Sequence, residues 1–169
     1  SETAMVLAPD RNRHLLSLPM PHTPGTRWAY SGGATALLAD IIERRTGQRL
    51  KVLAQAVLFD PLGIADADWR ADRESRTLAF SGLRLRPREL ARIGRLLLDG
   101  GRWQGRPVVP AAWIADTLAT RVPASDGLTY GRQWWQGRFA SGPGAGVGFV
   151  AGLGKIGRAS CRERVYLCV

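Results

Sequence analysis

The clearest periodic stretch of the chain begins at Ala34. Leu37, Leu38, Ile41 and Ile42 form one apolar stripe at the helical period, with Asp40, Glu43, Arg44 and Arg45 largely off it and Gly47 as a stop. The pattern predicts a helix, and Ser31 is a plausible N-cap because its hydroxyl can accept from an amide of the first turn. A second helix is predicted at about Leu50 to Phe59, presenting Leu53, Val57 and Leu58 and ended by Asp60-Pro-Leu-Gly63. Pro87 suits the first turn of a third, which carries Leu90, Ile93 and Leu97 on one face and stops at Gly100-Gly101. Pro110 opens a fourth, running through about Leu118.

Strand signals are fewer. Residues 1–29 read as irregular, because Pro9, Pro19, Pro21 and Pro24 leave no room for a long helix; Leu15 to Leu18 reads as one short extended or helical piece. Pro24 to Tyr30 reads as a turn and a short strand entering a Ser31-Gly32-Gly33 elbow. Residues 64–80 are polar, with a strand around Asp68-Trp69-Arg70, and Arg102 to Val109 forms a tight hairpin-like turn. Tyr130 to Phe139 is the best strand, with Trp134 and Trp135 as sheet residues rather than a binding platform. Gly142 to Gly154 reads as a loop leading into a further strand. No repeat of fixed period occurs, which excludes solenoids and propellers. The order predicts an α+β chain richer in helices than in strands.

With 169 residues, 45% of them hydrophobic, the chain has the length and apolar content of one domain. Its formal charge of +10 suggests a polyanionic partner, but 22 of the 24 basic residues are arginines spread along the chain with no basic block. Those of the third helix read as a solvated face. A basic module for nucleic acid or an anionic surface therefore stands as the alternative, behind an enzyme. Both cysteines, Cys161 and Cys168, fall in the last nine residues, so residues 1–160 have no disulfide framework or thiolate metal site. No apolar run approaches the roughly 20 residues of a membrane-spanning helix. The chain opens without an initiator Met, so the true N-terminus is expected to be missing, and the sequence assigns neither compartment nor oligomeric state.

At Lys155 the composition changes. The string Lys-Ile-Gly-Arg-Ala-Ser-Cys-Arg-Glu-Arg-Val-Tyr-Leu-Cys-Val has no helical or strand periodicity and resembles the translation of a short-read sequencing adapter. Residues 155–169 are expected to be a non-native tail and residues 1–154 a partial domain. The tail carries a net three positive charges, so residues 1–154 hold +7.

Several common chemistries are missing. There is no Gly-x-Ser-x-Gly elbow and no phosphate loop ahead of a helix. His14 and His22 stand eight apart in the proline-rich stretch, where neither a zinc helix nor a histidine-centred triad can be drawn. No metal or organic cofactor is implied.

The informative text is Pro24-Gly-Thr-Arg-Trp-Ala-Tyr30-Ser31-Gly32-Gly33 with its helix, followed by Leu58-Phe-Asp-Pro-Leu-Gly-Ile64, Ser81 to Gly94 and Tyr130-Gly-Arg-Gln-Trp-Trp135. In order and spacing it resembles the serine β-lactamase-like superfamily of class C β-lactamases, penicillin-binding-protein-like peptidases, esterases and 6-aminohexanoate-dimer hydrolases. The resemblance covers roughly Asp10 to Gly154. It implies a helical domain set against an antiparallel sheet, here incomplete: the helical part with a few strands, exposing apolar surface meant for missing ones.

A Pro-Gly-Thr turn there leads to a Tyr-x-Asn motif, which implies Tyr30 as catalytic residue and general base. A phenol is ionised only above about pH 10, so its pKa must be lowered, and the helix N-terminus just after Tyr30 favours an anion. In the family, lysines of two other motifs add to that. Ser31 is a cap rather than a nucleophile, since no base adjoins it. Gly32 stands in place of the motif asparagine that would contact substrate, which argues against a typical β-lactamase. Lys51 follows Gln48 and Lys155 follows Gly152, so neither completes Ser-x-x-Lys, and no Lys-Thr-Gly or His-x-Gly strand appears. The resemblance thus implies a middle fragment whose nucleophile lies upstream and whose third motif would begin just after Gly154. The expected function is acyl transfer through an acyl-serine, on a small-molecule amide, ester, peptide or β-lactam. The fragment alone would be inactive; a catalytically dead scaffold homologue is the weaker option.

Overall fold

The computed structural model describes residues 2–65, 67–119, 122–125 and 127–138, and the backbone of residues 148–153 and 164–168. The chain divides into two units, one comprising Ser1–Ala56 and Ala67–Arg84, the other Val57–Asp66 and Leu85–Val169.

In the first unit the N-terminal stretch is more regular than its prolines suggest. It holds two helices of six residues, α1 (Glu2–Leu7) and α2 (Arg11–Leu16). The prolines limit helix length, but Asp10 starts α2 by accepting from Arg13 N at 2.9 Å. After a turn closed by Thr26 N on Thr23 O, residues 27–31 join no sheet, so the strand expected before the elbow is absent. Extended backbone becomes a strand only where a partner completes its ladder.

The main helix, α3 (Gly32–Thr46), starts two residues earlier than its apolar pattern. Ser31 is its N-cap, with Oγ accepting from Ala34 N at 3.2 Å. Gly47 ends it at φ +68°, a left-handed conformation that glycine adopts freely, and donates to Glu43 O. Its buried face is not the expected stripe. Gly32, Gly33, Ala36 and Ala39 are buried, whereas Leu38, Ile41 and Ile42 are 47%, 55% and 39% exposed. Small residues recurring at helical spacing let another element lie close, and a Cβ at Gly33 would meet Leu15 Cδ2 at 2.5 Å. The large apolar residues face away.

Next, α4 (Leu50–Ala54) is tied to α3 by Leu50 N donating to Glu43 Oε1 at 2.8 Å, and continues as a π-helical turn over Gln55–Phe59. Together these match the extent of the second predicted helix. Strands β1 (Asp68–Trp69) and β2 (Leu83–Arg84) pair antiparallel. The loop between them is knotted by Asp72, whose carboxylate accepts from Glu74 N, Arg76 N and Arg76 Nε.

In the second unit Phe59, Leu62 and Ile64 are the largest fully buried side chains. Helix α5 (Pro87–Leu98) buries Glu89, Gly94, Leu96 and Leu97. Glu89 accepts from Arg86 N at 2.7 Å, closing the first turn. Arg92 is not simply a solvated residue: it donates to the Leu62 and Gly63 carbonyls. A hairpin of β3 (Arg102–Trp103) and β4 (Arg106–Pro107) follows as expected, then α6 (Ala111–Ala119). Gly101, at φ +86°, admits no side chain, because a Cβ would strike the Val109 carbonyl.

The remaining strands form an antiparallel sheet in sequence order: β5 (Val122–Pro123), β6 (Thr129–Gly131), β7 (Trp134–Arg138), β8 (Gly148–Leu153) and β9 (Arg164–Cys168). Two expectations change here. The run from Tyr130 is two strands, because Arg132 and Gln133 adopt φ +45° and +73° and form a two-residue turn; Phe139 lies outside the described residues. Arg164–Cys168, despite lacking strand periodicity, pairs with β8, since a ladder uses only backbone groups. Residues 142–147 also lie outside the described residues. Leu97 and Ile114 form a buried cluster, with Val109, Leu118 and Trp134 packed on it, and Trp135 is buried.

Candidate functional site

Tyr30 is the last residue before the Ser31 cap of α3, and its side chain is 41% exposed. The chain thus sets Tyr30 one residue ahead of the cap at the positive end of the helix. Ser31 Oγ is engaged by Ala34 N, as a cap should be. The third site residue, Gly32, is the first residue of α3 and is buried.

The electrostatics differ from what a phenolate base requires. Burial, and after it the negative charge of Glu2, push the Tyr30 phenol above its ordinary value. Glu2 is the residue that sequence reasoning missed. It lies 28 positions before Tyr30 in a six-residue helix, and the one trace it leaves is the absent side chain at Gly32, where a Cβ would collide with Glu2 Oε1.

The histidines take no part. His22 Nε2 lies 3.4 Å from Arg27 Nη1, and His14 is half-buried in α2. Among the described residues no three His, Cys, Asp or Glu side chains gather as metal ligands, and no helix is long and apolar enough to cross a membrane.

Many arginines are matched by carboxylates. Arg44 meets Asp40, Arg84 meets Asp68, Arg95 meets Asp99, and Arg132 meets Asp116. Arg11 and Arg76 share Asp72. This spends much of the positive charge within the chain. In the second unit a cavity of about 330 Å³ is lined by Asp60, Pro61, Leu62, Gly63, Arg92, Trp103 and Gln104, and neither Tyr30 nor Gly32 borders it.

Residues 2–159 match the Beta-lactamase family. The chain is 33% identical over 130 residues to the 6-aminohexanoate-dimer hydrolase of Paenarthrobacter ureafaciens, covering 70% of this chain and 33% of that protein. It is 31% identical over 91 residues to the lovastatin esterase of Penicillium rubens, covering 52% and 21%. It is 41% identical over 54 residues to Esterase EstB of Burkholderia gladioli, covering 32% and 14%. A solved structure from Bacillus anthracis, provisionally described as a 6-aminohexanoate-dimer hydrolase, superposes with a TM-score of 0.67 at 24% identity, over 80% of this chain and 38% of that one. The chain spans about a third of the length of the first of these relatives. The structural likeness bears on the fold alone.

Proposed function

The chain belongs to the beta-lactamase family, and we propose that it is the middle part of a serine hydrolase that works by acyl transfer, with Tyr30 as general base. The observation that carries this is the placement of Tyr30: a partly exposed phenol directly before the capped N-terminus of a fifteen-residue helix. As phenolate it would take the proton of a serine hydroxyl while the serine oxygen attacks an acyl carbon. It would then return that proton to the leaving group, and a water activated in the same way would release the acyl-serine.

The serine of Ser-x-x-Lys and the basic residue of the third motif belong, in this reading, to parts of the protein outside these 169 residues. The lysine of the first motif and the basic residue of the third would favour the Tyr30 phenolate against the burial and the Glu2 charge that raise it. Residues 155–169 are a non-native tail in this reading, supported by the change of composition and by both cysteines falling there. Gly32 favours esters, linear amides and peptides over β-lactams as substrates. The named activities of the relatives, a dimer hydrolase and two esterases, support that range.

The test is turnover of nitrocefin and of a p-nitrophenyl ester by the 169-residue chain and by the full-length enzyme. The chain should be inactive. The full-length enzyme should cleave the ester, and Tyr30→Phe should lower its kcat by about 10² to 10⁴. Turnover by the chain alone that disappears in Tyr30→Phe would show that no missing segment is needed. Unchanged kcat in full-length Tyr30→Phe would remove Tyr30 from the mechanism.

A further inference from the structure

The cavity of about 330 Å³ in the second unit meets a second hollow of about 390 Å³ at Pro61, Trp103 and Gln104, which line both. All the lining residues belong to that one unit. The two compartments differ in character. The first holds Arg92 and Asp60, whereas the second is bordered by Val57, Pro61, Pro107 and Val108, with Arg106 as the charged residue of its lining.

Arg92 is fixed in place, because its Nη1 donates to the Leu62 and Gly63 carbonyls. Gly63, at φ +66°, leaves room for this, since a Cβ there would stand 3.1 Å from Nη1. A guanidinium carries five N–H donors, and these bonds engage only one of its nitrogens. Among the described residues no carboxylate pairs with Arg92, so Nε and Nη2 are left to donate elsewhere. A second observation is independent of the first. Trp103 pairs with Arg106, so Gln104 and Gly105 form the two-residue turn of the hairpin. Gln104 stands there at φ +48°, where glycine or asparagine is the usual occupant. A glutamine is thus held against its backbone preference where the two compartments meet.

We propose that the two compartments form a binding site for a monocarboxylate with a short apolar body, built from residues that take no part in the Tyr30 site. The carboxylate meets the remaining donors of Arg92 and the side-chain amide of Gln104. The Trp103 indole forms the wall, and the apolar body fills the space bordered by Val57, Pro61, Pro107 and Val108. A carboxylate suits a fixed guanidinium because its two oxygens match the planar fork. A single negative charge follows from Asp60, which offsets Arg92 in the first compartment and leaves a dianion such as phosphate little net attraction. Proline and valine at the far end offer nothing to a second polar group, which would lose its water there without a partner. Arg106 adds to the attraction for an anion over a cation.

The test titrates the 169-residue chain with sodium octanoate, followed by calorimetry and by the NMR signals of its indole N–H groups. Of the six indoles, the one whose signal is absent from Trp103→Phe should shift. Affinity should rise about fourfold for each methylene from butanoate to octanoate, as burial of the apolar body requires. 1-Octanol should bind about tenfold more weakly than octanoate, and inorganic phosphate should not displace it. Gln104→Gly is the decisive variant. It relieves the backbone and should raise the thermal midpoint, yet weaken octanoate about fivefold through loss of the amide. A purely structural glutamine would give the first change without the second. Arg92→Lys keeps the charge but not the fork and should weaken octanoate about tenfold. If that variant fails to fold, Gln104→Gly decides alone. No binding at about 10 mM octanoate, an unmoved Trp103 signal, equal affinity for 1-octanol, or full affinity in Gln104→Gly would each overturn the proposal.

Discussion

Arg11 and Asp72 meet as a buried ion pair, with Nη1 3.4 Å from Oδ2 and side chains 3% and 2% exposed. The contact joins α2 to the loop between β1 and β2. Asp72 is the hub, because it also takes the amides of Glu74 and Arg76 and the Arg76 guanidinium. Removing one partner of a buried pair leaves the other charge uncompensated, so Asp72→Ala should cost about 3 kcal/mol by urea denaturation. A loss below about 1 kcal/mol would mean that the network is solvated in solution.

The same carboxylate predicts how stability varies with pH. Burial pushes Asp72 up, but the hydrogen bonds and charge of Arg76, with Arg11 adding to them, hold it below its ordinary 3.8. A depressed carboxylate contributes stability that is present above its unfolded pKa and lost as pH falls through the folded one. Urea midpoints should therefore hold down to about pH 4 and drop below it. In Asp72→Asn that drop should be shallower, and an identical acid limb in both proteins would assign the transition to other groups.

The two ends of α3 make separable contributions. Ser31→Ala loses the bond to Ala34 N and should cost about 1 kcal/mol. Gly47→Ala forces a side chain into a left-handed backbone and should cost about the same. The sites lie a helix length apart, so the double variant should show the sum of the two losses in thermal melts.

Opposite signs are expected at the β6–β7 turn. Gln133 stands at φ +73°, and glycine there should stabilise by about 0.5 kcal/mol, net of the exposed bond that Gln133 accepts from the Tyr130 hydroxyl. Arg132→Ala, in contrast, loses the pairing with Asp116 and the stacking over Trp113 at 4.8 Å, and should destabilise by about 1 kcal/mol. Finding both changes neutral by denaturant titration would show that the turn does not set the register of the hairpin.

Leu38 and Ile41 are large, apolar and exposed, so serine at both should change stability by less than about 0.5 kcal/mol each. It should also reduce self-association, measured by light scattering against concentration. A large loss of stability instead would show that this face is covered in solution.

How far the chain could be read in advance depended on what each residue type must do. The caps at Ser31 and Gly47 and the glycine pair at 100–101 were legible, because they answer local needs of backbone hydrogen bonding and φ. Which face of α3 is buried was not. Hydrophobicity pointed to Leu38 and Ile41, whereas close approach by Leu15 selects the smaller Gly33. The break at Arg132-Gln133 was hidden because neither residue announces a positive φ. Tyr30 and Gly32 were found through an ordered motif, but Glu2 was not, since its position follows from how α1 and α3 meet and no spacing encodes it.

The first unit is discontinuous in sequence, interrupted by Val57–Asp66 and closed by Ala67–Arg84. During synthesis the ribosome releases the interrupting ten residues before the segment that pairs β1 with β2, so the unit cannot finish folding as its N-terminal part emerges. A protease faces the converse constraint. A cut after Arg84 frees the first unit in one piece, but only with Val57–Asp66 still inside it, so the second unit loses ten residues of its own to the other fragment.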